Sequence, residues 1–469
     1  MKLFACSRIL IAPVIVSALF ISVRAISPAI ALCQGTGGQG RTPFGPMFPI
    51  SPGISLGWQT RGNAAPAQPQ AGSPTLLSTA DAIFEQMSHI TGLPIKSALK
   101  KQLVSRADVR KYLTENLRQE YTPEELHFQE AALKAFGLVA SDFDLAKFLI
   151  TFYTEQAAGF YDPRRKTMCI ADWVGRDMQE LVLAHELTHA LQDQSFDIDK
   201  FVHADRGNDD ASNARQAVVE GYATAAMMQR MLGDTALASL PSLAPWMEGV
   251  IHQQMEEFPA FSSAPFFFRF QALFPYTAGM GFMQAGLKQG GWQALQQVFI
   301  NPPKTTKEIF EPRLYFEHQH LPEVSLPPPP ALSHVPHLKQ LGQNSMGQMG
   351  YYSLLGQFLS EGEAQSVSGG WLADRYILYE DAGARRYALV GRTRWATPEK
   401  ASTFCHDYHT ILVHKYPELA SEKPSTSHAL TGSAASGHII LLHQDDECRW
   451  AEGVPPAQAD NVLNYLSSL

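Results

Sequence analysis

The sequence predicts an α+β protein, in which a mainly helical domain with a small β-hairpin precedes a C-terminal α+β module. Two observations support this fold class. Between residues 76 and 320, most segments repeat apolar residues at intervals of three and four, which is the spacing of one face of an α-helix. Beyond residue 338, short candidate strands alternate with helices, which is typical of a small mixed layer.

Composition bounds the class of protein. The chain has 469 residues, which is long enough for two domains and a large core, and 45% of them are hydrophobic. Its 37 Lys and Arg residues are outnumbered by 45 acidic residues, so the formal net charge is −8. This balance supplies no basic surface for phosphate backbones, and we therefore expect no nucleic-acid partner.

The N-terminus has the pattern of a secretory signal. Lys2 provides a positive start, Ile9–Val23 is an apolar run, and a small-residue cleavage site ends at Ala31. We therefore predict a signal peptide over residues 1–31 and an exported protein, either periplasmic or extracellular. An uncleaved segment would instead tether the chain and be its one membrane contact, and lipid attachment at Cys33 is a further alternative.

Residues 32–75 are rich in Gly, Pro, Gln, Ala and Ser and are predicted to form a disordered linker. The helical domain follows over residues 76–320, and Ser105 and Thr122 stand where N-caps would precede two of its helices. Its predicted elements are helices at Ser78–Thr91, Ser105–Gln119, Pro123–Phe136 and Phe143–Gln156, a hairpin at Ala158–Ile170, helices at Asp177–Gln194 and Ser212–Leu232 around a polar loop at Phe196–Asp210, and helical sequence from Pro245 to Phe299.

A proline-rich linker, residues 321–337, is predicted to separate this domain from the module at residues 338–469. In an oxidising compartment Cys405 and Cys448 could form a disulfide, which the sequence leaves open. The module is predicted to contain two β-β-α units, built from a helix at Met346–Leu359, strands at Arg375–Tyr379 and Tyr387–Ala396, a helix at Pro398–Tyr416, strands at His438–Leu442 and Cys448–Ala451, and a helix at Ala457–Leu466.

The most informative motif is HELTH, at residues 185–189 of a predicted helix. His185 and His189 lie one helical turn apart, so both imidazoles can reach one metal ion from the same side. Glu186 lies between them and is placed to act as general base on a zinc-activated water. The sequence therefore predicts one catalytic zinc ion.

A catalytic zinc site requires a third protein ligand, for which Glu220 is the best candidate. It lies 31 residues after His189 on a separate predicted helix, and it is a charged residue within the apolar stretch AVVEGYAT. A charge in such a stretch is paired or metal-bound when it is buried. The alternative is a salt bridge between helices, in which Glu220 has a structural role.

HELTH followed by a glutamate on a downstream helix resembles the metal site of the gluzincin zinc metallopeptidases, of which thermolysin is the type member. The resemblance implies a zincin-like helical domain, zinc ligands at His185, His189 and Glu220, and a peptide or protein substrate. It also assigns the general base to Glu186. Thermolysin-like enzymes carry an acid four residues after the glutamate ligand, where this chain has Thr224.

The partner that orients the zinc histidines is therefore open, and Asp193, one turn beyond His189, is an alternative. A closer resemblance is to an uncharacterised group of exported bacterial gluzincin-like proteins. It is carried by GFYDP, HELTHALQDQ, VEGYAT, FPYTAG, NPPKTTKEIF and GGWLADRY, between Gly159 and Tyr376. Tyr276 of FPYTAG could donate to an oxyanion or could pack among the neighbouring Phe residues.

Two functions follow as expectations. The first is an exported zinc metallopeptidase that hydrolyses peptide bonds, as the resemblance implies. The second is a zinc-bearing, non-peptidolytic cell-envelope protein that acts in binding or assembly. The absence of an acid at Thr224 and the large C-terminal module favour the second.

Overall fold

The computed structural model describes residues 12–13, 76–173, 176–384, 386–421 and 429–469 of the chain. The predicted linker at residues 32–75 and the predicted signal segment, apart from Ala12–Pro13, lie outside the described residues. Those two residues form a short strand, β1. Within the described ranges, no helix combines the length and the apolar character that crossing a membrane requires.

The first part of the described chain is mainly helical. Its helices surround a sheet of strand order β1-β3-β4-β2, in which β3 and β4 form an antiparallel hairpin and β2 runs parallel to β4. The elements are α1 (Leu76–Thr91), β2 (Lys100–Val104), α2 (Arg106–Glu120), α3 (Pro123–Ala135), α4 (Leu145–Gln156), β3 (Ala157–Asp162), β4 (Thr167–Ala171), α5 (Arg176–Phe196), α6 (Ile198–Val202), α7 (Asp209–Leu232), α8 (Ala244–Met255), α9 (Pro259–Ser262), α10 (Phe266–Ile300), α11 (Thr306–Phe310) and α12 (Pro312–Phe316).

Local hydrogen bonds explain where several helices begin. Ser105 and Thr122 cap α2 and α3 in reciprocal capping boxes, as the sequence predicts. Asn208 caps α7 through the backbone N–H of Ala211, so this helix begins three residues before the predicted Ser212. The prediction of a plain loop between α5 and α7 was wrong, because that segment contains the short helix α6.

The long helical stretch predicted after residue 245 is three helices, α8 to α10. The longest, α10, contains Pro275 and is interrupted at Gly290 and Gly291. Gly291 has a φ of 65°, which glycine adopts without steric cost. The kink explains why one apolar segment changes direction within the helical domain.

The C-terminal module is built on one antiparallel sheet of strand order β5-β6-β7-β10-β9-β8. The two β-β-α units lie side by side and are joined where β7 pairs with β10, while β5 and β8 form the two edges. The elements are α13 (Pro330–Ser333), β5 (Leu338–Asn344), α14 (Gly347–Phe358), α15 (Glu361–Ser368), β6 (Trp371–Asp381), β7 (Arg386–Trp395), α16 (Pro398–Lys415), β8 (Ala429–Ala434), β9 (Gly437–Gln444), β10 (Glu447–Val454) and α17 (Ala459–Ser468).

The two faces of this sheet pack against different cores. One face carries Trp395 and Trp450 into the same hydrophobic core that fills the helical domain. The other face packs against Val462 and Leu466 of α17. The helical domain and the module therefore share one continuous core, and a disulfide between Cys405 and Cys448 ties α16 to the sheet.

Candidate metal centre

Two helices, α5 and α7, bring together the residues predicted to bind a metal. The Nε2 atoms of His185 and His189 are 3.1 Å apart, and Glu220 reaches them from α7. Glu220 Oε2 lies 3.1 Å from His185 Nε2 and 3.3 Å from His189 Nε2. Each of these residues, hereafter the three-donor group, is at most 2% exposed.

The three donor atoms have the spacing of ligands around one small cation. Zinc bonds of about 2.0–2.1 Å in tetrahedral geometry place ligand atoms about 3.3–3.4 Å from one another. The observed separations of 3.1–3.3 Å are close to this value. Two imidazole nitrogens and a carboxylate oxygen also suit a divalent transition metal, so the three-donor group could hold a metal ion.

Burial and mutual charge set the ionisation of the group. Burial raises the pKa of Glu220, but the adjacent imidazoles outweigh it and lower that pKa to about 2. Burial lowers the pKa of His185, whereas at His189 the Glu220 carboxylate outweighs burial and raises the pKa to about 9. The imidazoles therefore favour the ionised form of Glu220, and a divalent cation bound by the group would displace protons from its ligands.

Glu186 is held beside the group by the hairpin. The backbone N–H of Tyr161 in β3 donates to Glu186 Oε2 at 2.7 Å, and Glu186 is near enough to His189 to contribute to its raised pKa. The strand approaches α5 closely at Gly159, where an added Cβ would lie 2.9 Å from Val182. This close approach explains why the GFYDP motif has glycine at this position, because a larger residue would collide with Val182.

Tyr276 of FPYTAG faces the same site from α10. Its ring centroid lies 5.8 Å from that of His185, and its hydroxyl is hydrogen-bonded to Glu220. Burial and the nearby Glu220 and Glu186 carboxylates raise the pKa of Tyr276 well above its usual value. Tyr276 is therefore a protonated donor at the site as well as a packed aromatic residue.

A close crossing of α7 and α10 brings Glu220 and Tyr276 together. A Cβ on Gly221 would lie 2.4 Å from the Gly279 backbone, and one on Gly279 would lie 2.5 Å from Ala217 O. Gly221 follows Glu220 directly, and Gly279 lies three residues after Tyr276. The glycines of VEGYAT and FPYTAG therefore permit the approach that joins the two motifs.

Two glutamines support the ligands, and sequence reasoning missed both. Gln192 Oε1 lies 2.7 Å from His189 Nδ1, and Gln192 Nε2 donates to Val219 O at 3.0 Å. Gln216 Nε2 donates to Glu220 Oε1 at 2.9 Å. Their spacing could have predicted this role, because each glutamine lies three or four residues from a ligand on the same helix and so on the same helical face.

The alternative prediction, that Asp193 orients the zinc histidines, was wrong. Asp193 Oδ2 accepts hydrogen bonds from Tyr161 Oη at 2.6 Å and from Lys166 Nζ at 2.7 Å, and among the described residues no histidine is hydrogen-bonded to it. Thr224 is fully buried, and its hydroxyl has no hydrogen-bond partner among the described residues. Thr224 therefore does not take the place of the acid found in thermolysin-like enzymes.

A second group, formed by Glu120, Asp199 and His203, also has donor atoms close together. His203 Nε2 lies 2.6 Å from Glu120 Oε2. The guanidinium groups of Arg164 and Arg206 pair with the same Glu120 carboxylate. Two fixed cations compete with any metal for these oxygens, so this group is a structural ion-pair cluster.

Comparison with known protein families gives a match in the C-terminal module. Residues 335–463 match the model of a family described as a domain of unknown function, DUF8575. No curated protein and no solved structure matches the chain. The matched segment begins three residues before β5, ends within α17 and does not include the three-donor group.

Proposed function

We propose that this protein is an exported zinc metallopeptidase of the gluzincin type, with a zincin-like helical domain. One observation carries the proposal, namely the buried juxtaposition of the three-donor group with Glu186. Two histidines and a glutamate form the ligand set of thermolysin-type zinc sites. Glu186 adjoins these ligands without being one of them, which is the arrangement a general base requires.

The proposed reaction divides among named residues. His185, His189 and Glu220 would hold the zinc ion, which would supply a Lewis acid that lowers the pKa of water from about 16 to about 7. Glu186 takes a proton from the attacking water and delivers it to the leaving amine. The Tyr161 N–H, 2.7 Å from Glu186 Oε2, fixes the direction of that carboxylate. The Tyr276 hydroxyl, which is hydrogen-bonded to Glu220, would have to turn from that carboxylate to donate to the carbonyl oxygen as negative charge develops there.

Burial favours a second function. Glu186 and the three-donor group are at most 2% exposed, whereas a peptidase must admit an extended backbone to its catalytic residues. A zinc-bearing, non-peptidolytic cell-envelope protein that acts in binding or assembly needs no such access. Its interacting part would be the C-terminal module, which shares a core with the helical domain.

Metal analysis and a peptide-library assay on wild type and Glu186→Gln separate the two functions. For the peptidase we expect one equivalent of zinc in both proteins and cleavage by the wild type alone, because Glu186 is not a ligand. Zinc in both proteins with cleavage by neither supports the second function. A zinc-free wild type from zinc-replete expression contradicts both.

Export is part of the proposal. It is supported by the signal-peptide pattern and by the Cys405–Cys448 disulfide, because disulfides persist in oxidising compartments. We expect the mature protein in the periplasmic or extracellular fraction, beginning after Ala31. Mass spectrometry of the fractionated protein measures this, and an intact N-terminus in the cytoplasm would contradict it.

A further inference from the structure

We propose that Gln192 and Gln216 are positioning residues that fix the tautomer and the coordination mode of the metal ligands without adding charge. The proposal rests on the metal-binding part of the proposed function and not on peptidolysis. Gln192 is fully buried and Gln216 is 7% exposed. Each contacts one member of the three-donor group, and they come from the two different helices that carry the ligands.

The hydrogen bonds of Gln192 are consistent with only one orientation of its amide. Val219 O is an acceptor, so the Gln192 atom 3.0 Å from it must be the NH₂ group. The amide oxygen therefore faces His189 Nδ1 at 2.7 Å, and this nitrogen must be the donor. In the neutral imidazole, the lone pair is then on Nε2, which is the atom in the three-donor group. Gln192 thus selects the metal-binding tautomer.

The same hydrogen bonds tie the two helices together. Val219, whose carbonyl Gln192 holds, directly precedes Glu220 in α7. The amide of Gln192 therefore spans from the imidazole of His189 to the backbone beside the third ligand. Gln192 therefore bridges the two helices at the level of the three-donor group.

Gln216 acts on the carboxylate in the same way. A carboxylate is an acceptor, so Gln216 must present its NH₂ group, which lies 2.9 Å from Glu220 Oε1. The other oxygen, Oε2, faces the two histidines at 3.1 and 3.3 Å. Gln216 thus donates to one oxygen of the carboxylate, while the other oxygen is directed at the imidazoles. Glu220 would therefore present Oε2 to a metal ion.

The neutrality of both partners is the distinctive feature. A carboxylate beside a ligand imidazole raises the basicity of that ligand. Amides orient His189 and Glu220 and leave the charge of the three ligands unchanged. In thermolysin-like enzymes an acid at the position of Thr224 orients a zinc histidine. In this chain Gln192, in the helix of HELTH, orients His189 instead.

Zinc affinity, measured by competition with a chromophoric chelator, tests the proposal. Leucine is close to glutamine in size but cannot form hydrogen bonds. We expect Gln192→Leu and Gln216→Leu each to weaken zinc binding about 10–100-fold. Gln284→Leu is the matched control, because Gln284 is equally buried and donates to the carbonyls of Leu237, Leu240 and Pro241 away from the site. We expect its zinc affinity to equal that of the wild type.

Cobalt(II) in place of zinc provides a readout of ligand geometry. We expect the cobalt absorption bands to shift in the Gln192→Leu and Gln216→Leu proteins and to stay unchanged in Gln284→Leu. Because the two glutamines lie on different helices, either variant carries the test if the other fails to fold. Zinc affinity within about twofold of the wild type in a folded variant overturns the proposal and leaves the proposed function standing. A wild type that binds no zinc overturns both.

Discussion

At the scale of single residues, the neighbours of a buried glutamate decide whether it can bind a metal. Glu220 contacts two imidazoles, the neutral amide of Gln216 and the hydroxyl of Tyr276, none of which is a fixed cation, and its Oε2 is directed at the histidines. Glu120 contacts one imidazole and two guanidinium groups, which already neutralise its carboxylate. Similar residue types therefore form a candidate metal site in one place and an ion-pair cluster in the other.

Substitution in the two groups should separate these roles. We expect Glu220→Ala to abolish stoichiometric zinc binding, because it removes one of three ligands. We expect His203→Ala to retain one zinc ion, because His203 belongs to the ion-pair cluster of Glu120. Metal analysis after gel filtration measures both outcomes. If His203→Ala loses zinc and Glu220→Ala keeps it, the metal is bound by the group of Glu120, Asp199 and His203, and the proposed site is contradicted.

At the scale of elements, the crossing of α7 and α10 positions two parts of the site at once. Gly221 and Gly279 let the helix backbones approach more closely than any side chain would allow. Glu220 and Tyr276 lie next to this contact. A change in the separation of the two helices would therefore move both residues relative to the histidines. Packing at the crossing and metal binding should therefore respond together.

Gly221→Ala tests this coupling. The added Cβ would meet the Gly279 backbone at 2.4 Å, so the helices must move apart. We expect a loss of about 1–3 kcal/mol in the free energy of unfolding, together with weaker zinc binding. Gly249→Ala in α8 is the control, because its Cβ would have no neighbour within 4 Å, and it should be neutral or stabilising. Urea unfolding and chelator competition measure both effects; equal behaviour of the two variants would contradict the coupling.

At the scale of the whole molecule, buried carboxyl groups lie where the helical domain meets the module. Asp210 accepts hydrogen bonds from Thr306 N and Oγ1 at 2.8 and 2.5 Å. Asp374 accepts from the backbone N–H groups of Met346 and Gly347 at 2.9 and 3.0 Å. Burial raises the pKa of Asp210 to about 7 and that of Asp374 to about 6. The junction therefore favours protonated carboxyl groups.

The stability of this junction should depend on pH. The contribution of Asp210 is fully present below about pH 4 and is lost as the pH rises through about 7, because its pKa is raised on folding. Asp210→Asn keeps a neutral acceptor for Thr306. We expect this variant to gain stability relative to the wild type as the pH rises from about 5 to about 8, by about 2–3 kcal/mol. Urea unfolding at several pH values measures the difference, and a constant difference would contradict the prediction.

The disulfide should stabilise the module. It joins residues 43 apart in the sequence, and closing such a loop restricts the unfolded chain by about 4 kcal/mol. We expect reductant to lower the melting temperature of the wild type and to have no effect on a Cys405→Ser/Cys448→Ser variant. Cys169→Ser, at the buried free cysteine, should keep the reductant sensitivity of the wild type. Identical melting curves with and without reductant would show that the disulfide is absent or does not stabilise the protein.

The sequence by itself determined the features that depend on local spacing. Helical periodicity puts His185 and His189 on one face with Glu186 beside them, and capping residues mark where α2 and α3 begin. Glu220 could also be proposed as the third ligand, because a buried charge in an apolar helix is paired or metal-bound, although the sequence left a salt bridge between helices as the alternative. These inferences need only a few neighbouring residues.

Only the tertiary structure decided the rest. Strand β2 has the mostly polar sequence KKQLV and exists because it pairs with β4, far along the chain. The partners of Gln192, the position of Tyr276 and the order of the six-stranded sheet likewise depend on contacts between distant segments. The physical reason is range: hydrogen bonds within a helix act over a few residues, whereas the packing of a shared core fixes which helices and strands meet.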